Sequence, residues 1–287
     1  MANGMLIVNK PQDWTSQDVV SKLRGVFHEK RVGHGGTLDP MATGVLPVFF
    51  GRATRAVEFF EHADKKYVAT VRLGQITDTQ DTTGNVLETR EVCVSQSDIE
   101  QILPRFIGKI EQMPPMYSAI KIGGKKLYEL ARAGKEVERK PRRIEIFSLE
   151  MTHIVGNDWS LSVHCSKGTY VRTLCHDIGL ALGCGGCMAS LERVAAGPYA
   201  LSQSVTLEEI IANEQRESLL LPVDSLFVRY PRLSVTPAQE KCVRNGAAFT
   251  YTGAEGTYRL YSKSGEFLAL SRVIDGKLTT IKSFFEV

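Results

Sequence analysis

The sequence predicts an α+β protein: a mixed α/β region around a largely antiparallel sheet, followed by a small β-rich C-terminal unit. Three observations predict this class. Residues 66–74 and 159–165 alternate apolar and polar side chains with a period of two. Segments with helical apolar spacing and capping signals lie around them. After about Pro222 the pattern shifts to short strands joined by turns. Alternation suits antiparallel pairing better than a parallel sheet buried on both faces.

In chain order, residues 5–9 read as a short strand. Thr15 and Asp18 form a capping-box pattern, and Val19, Val20, Leu23, Val26 and Phe27 recur behind it at helical spacing. A glycine-rich stretch around Asp39 follows. Residues 52–62 are expected to form a helix burying Ala53, Ala56, Val57 and Phe60. In the strand 66–74, Tyr67, Ala69, Val71 and Leu73 share one face. Residues 77–84 form a polar turn. Its aspartates, Asp78 and Asp81, lack the EF-hand order of ligands, so side-chain turns are favoured over a cation site. Ser97 and Glu100 are expected to cap a helix carrying Ile99, Ile102, Leu103 and Phe106. Leu161, Val163 and Cys165 face inward from the next alternating strand, and a helix through Ile178 to Leu182 stops at Gly183. Residues 188–193 continue the packed region. Thr206 and Glu209 cap another helix. Thr236-Pro237 opens one that Gly246 ends. Residues 258–261 and 267–270 flank Lys263-Ser264-Gly265-Glu266 as a hairpin.

The length of 287 residues fits one main domain with a small second one, with boundaries expected at 1–228 and 229–287. A net charge of +3 is too small to reveal a polyanion partner, but its distribution is uneven. Between residues 114 and 143 stand Lys121, Lys125, Lys126, Arg132, Lys135, Arg139, Lys140, Arg142 and Arg143, opposed only by Glu129, Glu136 and Glu138. Tyr117 and Tyr128 are interleaved. A phosphate backbone attracts such a segment; a solvated helix face is the alternative. No apolar run approaches a membrane span, and Met5-Leu6-Ile7-Val8 is too short for a signal-peptide core. A cytoplasmic location is expected, with the six cysteines reduced. Cys184-Gly-Gly-Cys187, with Cys165, Cys175 and His176 upstream, lacks the second close cysteine pair of a zinc ribbon. Small residues at a tight helix contact explain it better than a metal or redox pair.

Candidate chemistry centres on Gly33-His34-Gly35-Gly36-Thr37-Leu38-Asp39-Pro40-Met41-Ala42-Thr43-Gly44. Pro40 biases Asp39 toward extended backbone, and the glycines allow another molecule's backbone to come close. Such a loop can present one carboxylate beside a bulky ligand. The simpler reading is an Asp-Pro turn whose carboxylate bonds its own backbone. A second compact motif, Ser166-Lys167-Gly168-Thr169-Tyr170-Val171-Arg172, follows later.

Together these residues resemble one family, the bacterial tRNA pseudouridine-55 synthases of the TruB type. The likeness lies in Asn9-Lys10-Pro11 and in residues 33–48, 66–74, 77–84, 114–132 and 166–174. It also includes the segment around Leu191, all in the family's order, between about Leu6 and Leu201. Beyond Leu201 it is weak, and the tail only suggests a PUA-like RNA-binding domain. The resemblance implies a pseudouridine-synthase-like catalytic domain around a largely antiparallel sheet, a topology that periodicity alone does not determine. It implies that one uridine in the T arm of tRNA is isomerised, its uracil cut from ribose at nitrogen, turned and rejoined through carbon. No metal, nucleotide or redox cofactor is implied, no membrane, and no obligatory protein partner.

By the same likeness, Asp39 is the nucleophile and Arg172 its partner, gripping the carboxylate with two parallel hydrogen bonds. Tyr67 stacks on the target base and helps remove the proton at carbon 5. Tyr170 and Leu191 line the uracil pocket, and His34 contacts the remodelled RNA loop. Lys10 is structural or phosphate-facing. Lys121, Lys125, Lys126, Arg132, Arg142 and Arg143 hold the RNA backbone. The base must leave its stack first, at a cost of a few kcal/mol. Attack on the anomeric carbon, addition to carbon 6 and a glycal route all remain open. The alternatives are a synthase acting on another RNA, an RNA-binding or RNA-folding protein with catalysis secondary or lost, and a glycosidase. A glycosidase needs a second carboxylic acid, for which Asp78 and Asp81 are the nearby candidates.

Overall fold

A computed structural model describes residues 2–285; Met1, Glu286 and Val287, at the outer ends of the two expected domains, lie outside the described residues. Ten strands among them form one sheet. They are β1 (Gly4–Lys10), β2 (Val32–His34), β3 (Thr43–Phe50), β4 (Lys65–Leu73), β5 (Gly108–Gln112), β6 (Arg142–Val155), β7 (Asp158–Cys165), β8 (Gly186–Ala196), β9 (Tyr199–Ala200) and β10 (Val205–Thr206). Their order is β10-β1-β3-β8-β4-β7-β6-β5, with β2 also on β3 and β9 on β8. Pairing is antiparallel except for β1 with β10 and β3 with β8.

The two halves of the chain meet at the parallel seam between β3 and β8, where Gly44 faces Arg193. Gly44 sits at φ +99°, and a Cβ there would lie 2.3 Å from the carbonyl oxygen of Arg193. Only glycine fits so close a backbone approach. β1 and β3 bury both faces. Leu6, Val8, Leu46 and Val48 join one core, while Met5, Ile7, Val45 and Phe49 join another. Two buried faces remove the need for alternation, which is why these strands read as continuous apolar runs. β8 contains the packed segment 188–193 and extends beyond it on both sides; register shifts after Met188 and Arg193 break its alternation.

Helix α1 (Ser16–Phe27) carries the expected Thr15/Asp18 capping box and buries Val19, Val20, Leu23 and Phe27. α2 (Gln96–Ile102) is capped by Ser95 and Asp98, two residues before the expected Ser97 and Glu100. The Asp98 carboxylate accepts from the Ser95 amide at 2.8 Å and hydroxyl at 2.6 Å, while Glu100 lies one turn on and accepts from Gln96. Residues 52–62 are not one helix. Gly51, at φ +58°, starts a 3-10 turn Gly51–Ala56, followed by a single helical turn Val57–Phe60; Val57 is half-buried. α3 (Leu127–Arg132) and α4 (Val171–Ala181) follow, α4 ending at Leu182 before Gly183. α5 (Leu207–Ala212) is capped by Thr206 and Glu209, and α6 (Pro237–Arg244) by Thr236 and Gln239. Among the described residues no helix is long and apolar enough to cross a membrane.

A second sheet is built from β11 (Arg232–Ser234), β12 (Phe249–Thr250), β13 (Gly256–Tyr261), β14 (Phe267–Ile274) and β15 (Lys277–Ser283), in the order β11-β13-β14-β15-β12. The turn between β13 and β14 closes with the Ser262 amide donating to Glu266 O at 2.9 Å. Val243, Leu260, Leu268 and Val273 form its own core. Leu270 and Phe284 reach outward to Phe227, Phe49 and Ile7 and join this sheet to the large one.

Candidate active site

Asp39 lies between β2 and β3, in a loop held from three directions. Ser16, buried at the start of α1, accepts from the Leu38 amide at 2.8 Å and donates to the Leu38 carbonyl at 3.1 Å. Lys10, at the end of β1, is fully buried. Its ammonium donates to the carbonyls of Pro11 (2.8 Å), Trp14 (2.5 Å) and Pro40 (3.1 Å). Arg193 on β8, 1% exposed, donates to Val45 O at 2.7 Å, Gly36 O at 3.1 Å and Thr37 O at 3.4 Å. The residues on both sides of Asp39 are thus fixed by side chains from β1, α1 and β8.

The Asp39 carboxylate turns toward Arg172 instead of its own turn. Arg172, in the first turn of α4 and buried, donates from Nη2 to Asp39 Oδ2 at 2.5 Å. Its Nη1 lies 3.8 Å from Asp81 Oδ2. The expected grip through two parallel bonds is therefore not what the guanidinium makes: it is divided between two carboxylates. Asp81 is buried, and its other oxygen accepts from the Thr79 hydroxyl (2.8 Å), the Thr83 amide (3.0 Å) and the Thr83 hydroxyl (2.5 Å). The polar turn does stabilise itself through its side chains, as expected, and it also delivers an anion to Arg172. Gln80, at φ +65°, docks the turn. Its carbonyl accepts from the Met188 amide at 2.9 Å, and its side-chain oxygen accepts from the Thr173 hydroxyl at 2.7 Å. Asp78 faces Asn85. With Asp81 engaged by the arginine that holds Asp39, neither aspartate stands as the separate acid a glycosidase needs.

The electrostatics follow from this packing. Burial pushes the Asp39 carboxyl above its ordinary range; Arg172 pulls it back and Asp81 pushes it further up. The side chain still exposes 31% of its surface, so it is reachable from outside. Burial raises the Tyr67 phenol, with Arg193 opposing. Burial, then Arg193, lowers His34. Burial lowers Lys10 to about 8, with Asp39 opposing.

Tyr67 on β4 is buried, pairs across the strands with Arg193 and lies within electrostatic reach of Asp39. Leu191, also buried, faces Ala69 on the same pair of strands. His34 ends β2, its Nδ1 accepting from the Gly36 amide at 3.4 Å. Tyr170 is the residue before α4, half-buried. The Lys10 ammonium is taken up by three carbonyls inside the protein and so holds the loop, the structural one of its two expected roles.

The basic residues of the excursion stand on other elements. Lys121 and Lys125 sit on a two-strand ribbon and are exposed, as is Arg132 at the end of α3. Lys126 lies over the Tyr128 ring, 5.2 Å from its centroid. Arg142 and Arg143 belong to β6, where Arg142 faces Gln112 and Arg143 lies 3.9 Å from Glu111. The basic excursion therefore leaves the sheet after Gln112 and rejoins it at Arg142. Cys184 and Cys187 flank the contact of α4 with β8, where a Cβ on Gly179 would lie 2.3 Å from the Gly186 amide nitrogen. That is the close helix packing expected of small residues.

Comparison with known proteins gives this site its class. Residues 24–171 match the N-terminal domain model of the TruB family pseudouridylate synthases, and residues 172–228 match the tRNA pseudouridylate synthase B C-terminal domain. The chain belongs to the TruB family of pseudouridine synthases and is an isomerase of that kind. The two models meet between Val171 and Arg172, so Asp39 and its arginine come from different matched regions. Among relatives, tRNA pseudouridine synthase B of Syntrophomonas wolfei is 46% identical over 282 residues, covering 94% of this chain and 93% of its own. The protein of the same name from Pseudomonas fluorescens is 43% identical over 285 residues, covering 96% and 93%. A chain in a solved Cbf5-Nop10-Gar1 complex has a similar fold, with a TM-score of 0.74 and 27% identity, covering 99% of this chain and 85% of that one.

Proposed function

We propose that the protein converts uridine 55 in the T arm of tRNA to pseudouridine, with Asp39 as the nucleophile toward an extruded base. The observation that carries this reading is the Asp39–Arg172 contact at 2.5 Å, made by a carboxylate whose loop is pinned on both sides. The guanidinium keeps the carboxylate ionised where burial would neutralise it. Tyr67 and Leu191 supply the walls of the uracil site. Both are buried in the sheet and keep water from a detached base, so that it rejoins the ribose through carbon. No atom is gained or lost overall. Tyr170 closes the pocket from the start of α4, and His34 meets the opened RNA loop at its rim.

Lys121, Lys125, Lys126 and Arg132 track the phosphate backbone from the excursion, with Arg142 and Arg143 at its root; such contacts supply affinity and not base choice. The catalytic domain spans 1–228. Residues 229–287 form a second, RNA-facing domain of PUA-like kind. The setting is cytoplasmic.

The test is incubation with unmodified tRNA transcript and mapping of pseudouridine at single-nucleotide resolution. Product at the T-arm uridine alone is expected, with Asp39→Asn binding tRNA but forming none. Modification elsewhere, or an unimpaired Asp39→Asn enzyme, overturns the reading.

A further inference from the structure

Gln112 ends β5, and there the chain leaves the sheet for the basic excursion. The residue is 3% exposed, and its side-chain amide is spent on the main chain of a single residue. Gln112 Oε1 accepts from the Tyr170 amide at 2.8 Å, and its Nε2 donates to the Tyr170 carbonyl at 3.0 Å. The pattern copies a strand pair with one side chain standing in for a strand. Tyr170 is the N-cap residue of α4, and its own side chain makes no capping bond. Its carbonyl also accepts the helical bond from the Leu174 amide at 3.1 Å. Two residues on, Arg172 holds Asp39.

We propose that Gln112 is a positioning residue for the reaction: its amide fixes the Tyr170 main chain, and with it the first turn carrying Arg172, to the root of the basic excursion. Three features support this. The side chain is buried with both polar atoms satisfied by one backbone residue, so its geometry is fully determined. Its strand neighbour across the pair is Arg142, where the excursion returns, and Arg139 closes the same neck by donating to Pro114 O at 3.1 Å. The contact spans 58 positions of sequence and joins the segment that holds RNA to the wall that holds the base. Misplacing a catalytic group by about 1 Å can cost about 100-fold in rate. Gln112 therefore sets the placement of Tyr170 and Arg172 from the strand end where the excursion begins.

This inference rests on the proposed function, and its test separates the two. Gln112→Met keeps the side-chain volume and removes both bonds; Gln112→Glu keeps the acceptor and removes the donor. Under saturating tRNA, Gln112→Met is expected to lower the single-turnover rate about 10- to 100-fold. Its tRNA dissociation constant should stay within about threefold, because phosphate contacts are untouched. Gln112→Glu should lie between it and wild type. Hydrogen exchange at the Tyr170 amide, followed without RNA, should quicken in Gln112→Met and less so in Gln112→Glu. Wild-type turnover in Gln112→Met, a loss confined to the dissociation constant, or unchanged exchange at Tyr170 each overturns the inference. If Gln112→Met does not fold, Gln112→Glu decides: a reduced rate with unchanged circular dichroism supports the role, and wild-type rate removes it. A wild-type protein inactive on tRNA overturns the proposed function, while exchange at Tyr170 still reports on the contact.

Discussion

Arg172 stands between two anions, Nη2 at 2.5 Å from Asp39 and Nη1 at 3.8 Å from Asp81, and a lysine lacks the rigid planar fork that holds two separate nitrogens toward them. Arg172→Lys is expected to cut turnover about 100-fold or more while tRNA affinity changes little, measured by single-turnover kinetics beside filter binding. Equal losses in both would refute the pairing. Asp39 itself weakens the fold. Its carboxyl is raised above the unfolded value, so the folded protein binds that proton more readily, and stability falls as pH rises through the two values. Asp39→Asn mimics the protonated form. It should withstand more urea than wild type at pH 7, and the advantage should vanish below the unfolded value of about 4. Asp39 and Arg172 were legible in the sequence because compact motifs isolate each. Arg193 was not. Its partners are the carbonyls of Val45, Thr37 and Gly36, which lie 148, 156 and 157 positions away, and carbonyls leave no trace in a side-chain pattern. Asp81 forms the side-chain turn its sequence predicts, but nothing local in the sequence says that the turn lands on Arg172.

Among the elements, the β3–β8 seam is the most constrained. Gly44→Ala sets a side chain at φ +99° against the Arg193 carbonyl. The backbone conformation alone costs about 1–3 kcal/mol. Chemical denaturation should show at least that loss, and activity should fall with it, since Arg193 also seats the Asp39 loop. A Gly44→Ala protein of wild-type stability would mean the strands are not in this register. Strands half-exposed on one face, such as β4 and β7, were legible from alternation. β1, β3 and β8 were harder, the first two because both faces are covered and the last because its bulges shift the period. The 3-10 turn at Gly51 escaped because its apolar spacing fits a helix while its glycine does not.

For the whole molecule, charge and chemistry occupy separate regions. The exposed cations Lys121, Lys125 and Arg132 lie on the excursion; Asp39, Arg172 and Tyr67 lie at the sheet. Replacing those three cations by alanine should weaken tRNA binding and flatten its dependence on salt by about 0.7–0.9 logarithmic units per lost phosphate contact. Turnover of bound tRNA should stay near wild type, and a large fall there would show that the excursion does more than hold.

The ion pair at the centre joins residues 133 positions apart, and the strand that seats the nucleophile's loop is completed only at Ala196. A ribosome adding roughly 5–20 residues per second therefore exposes the carboxylate long before its guanidinium exists. A nascent or prematurely terminated chain carries the acid without the means to aim it. Under the proposed function, a growing chain is inert toward uracil until its second half folds back onto the first, and a chain terminated before Arg172 stays inert.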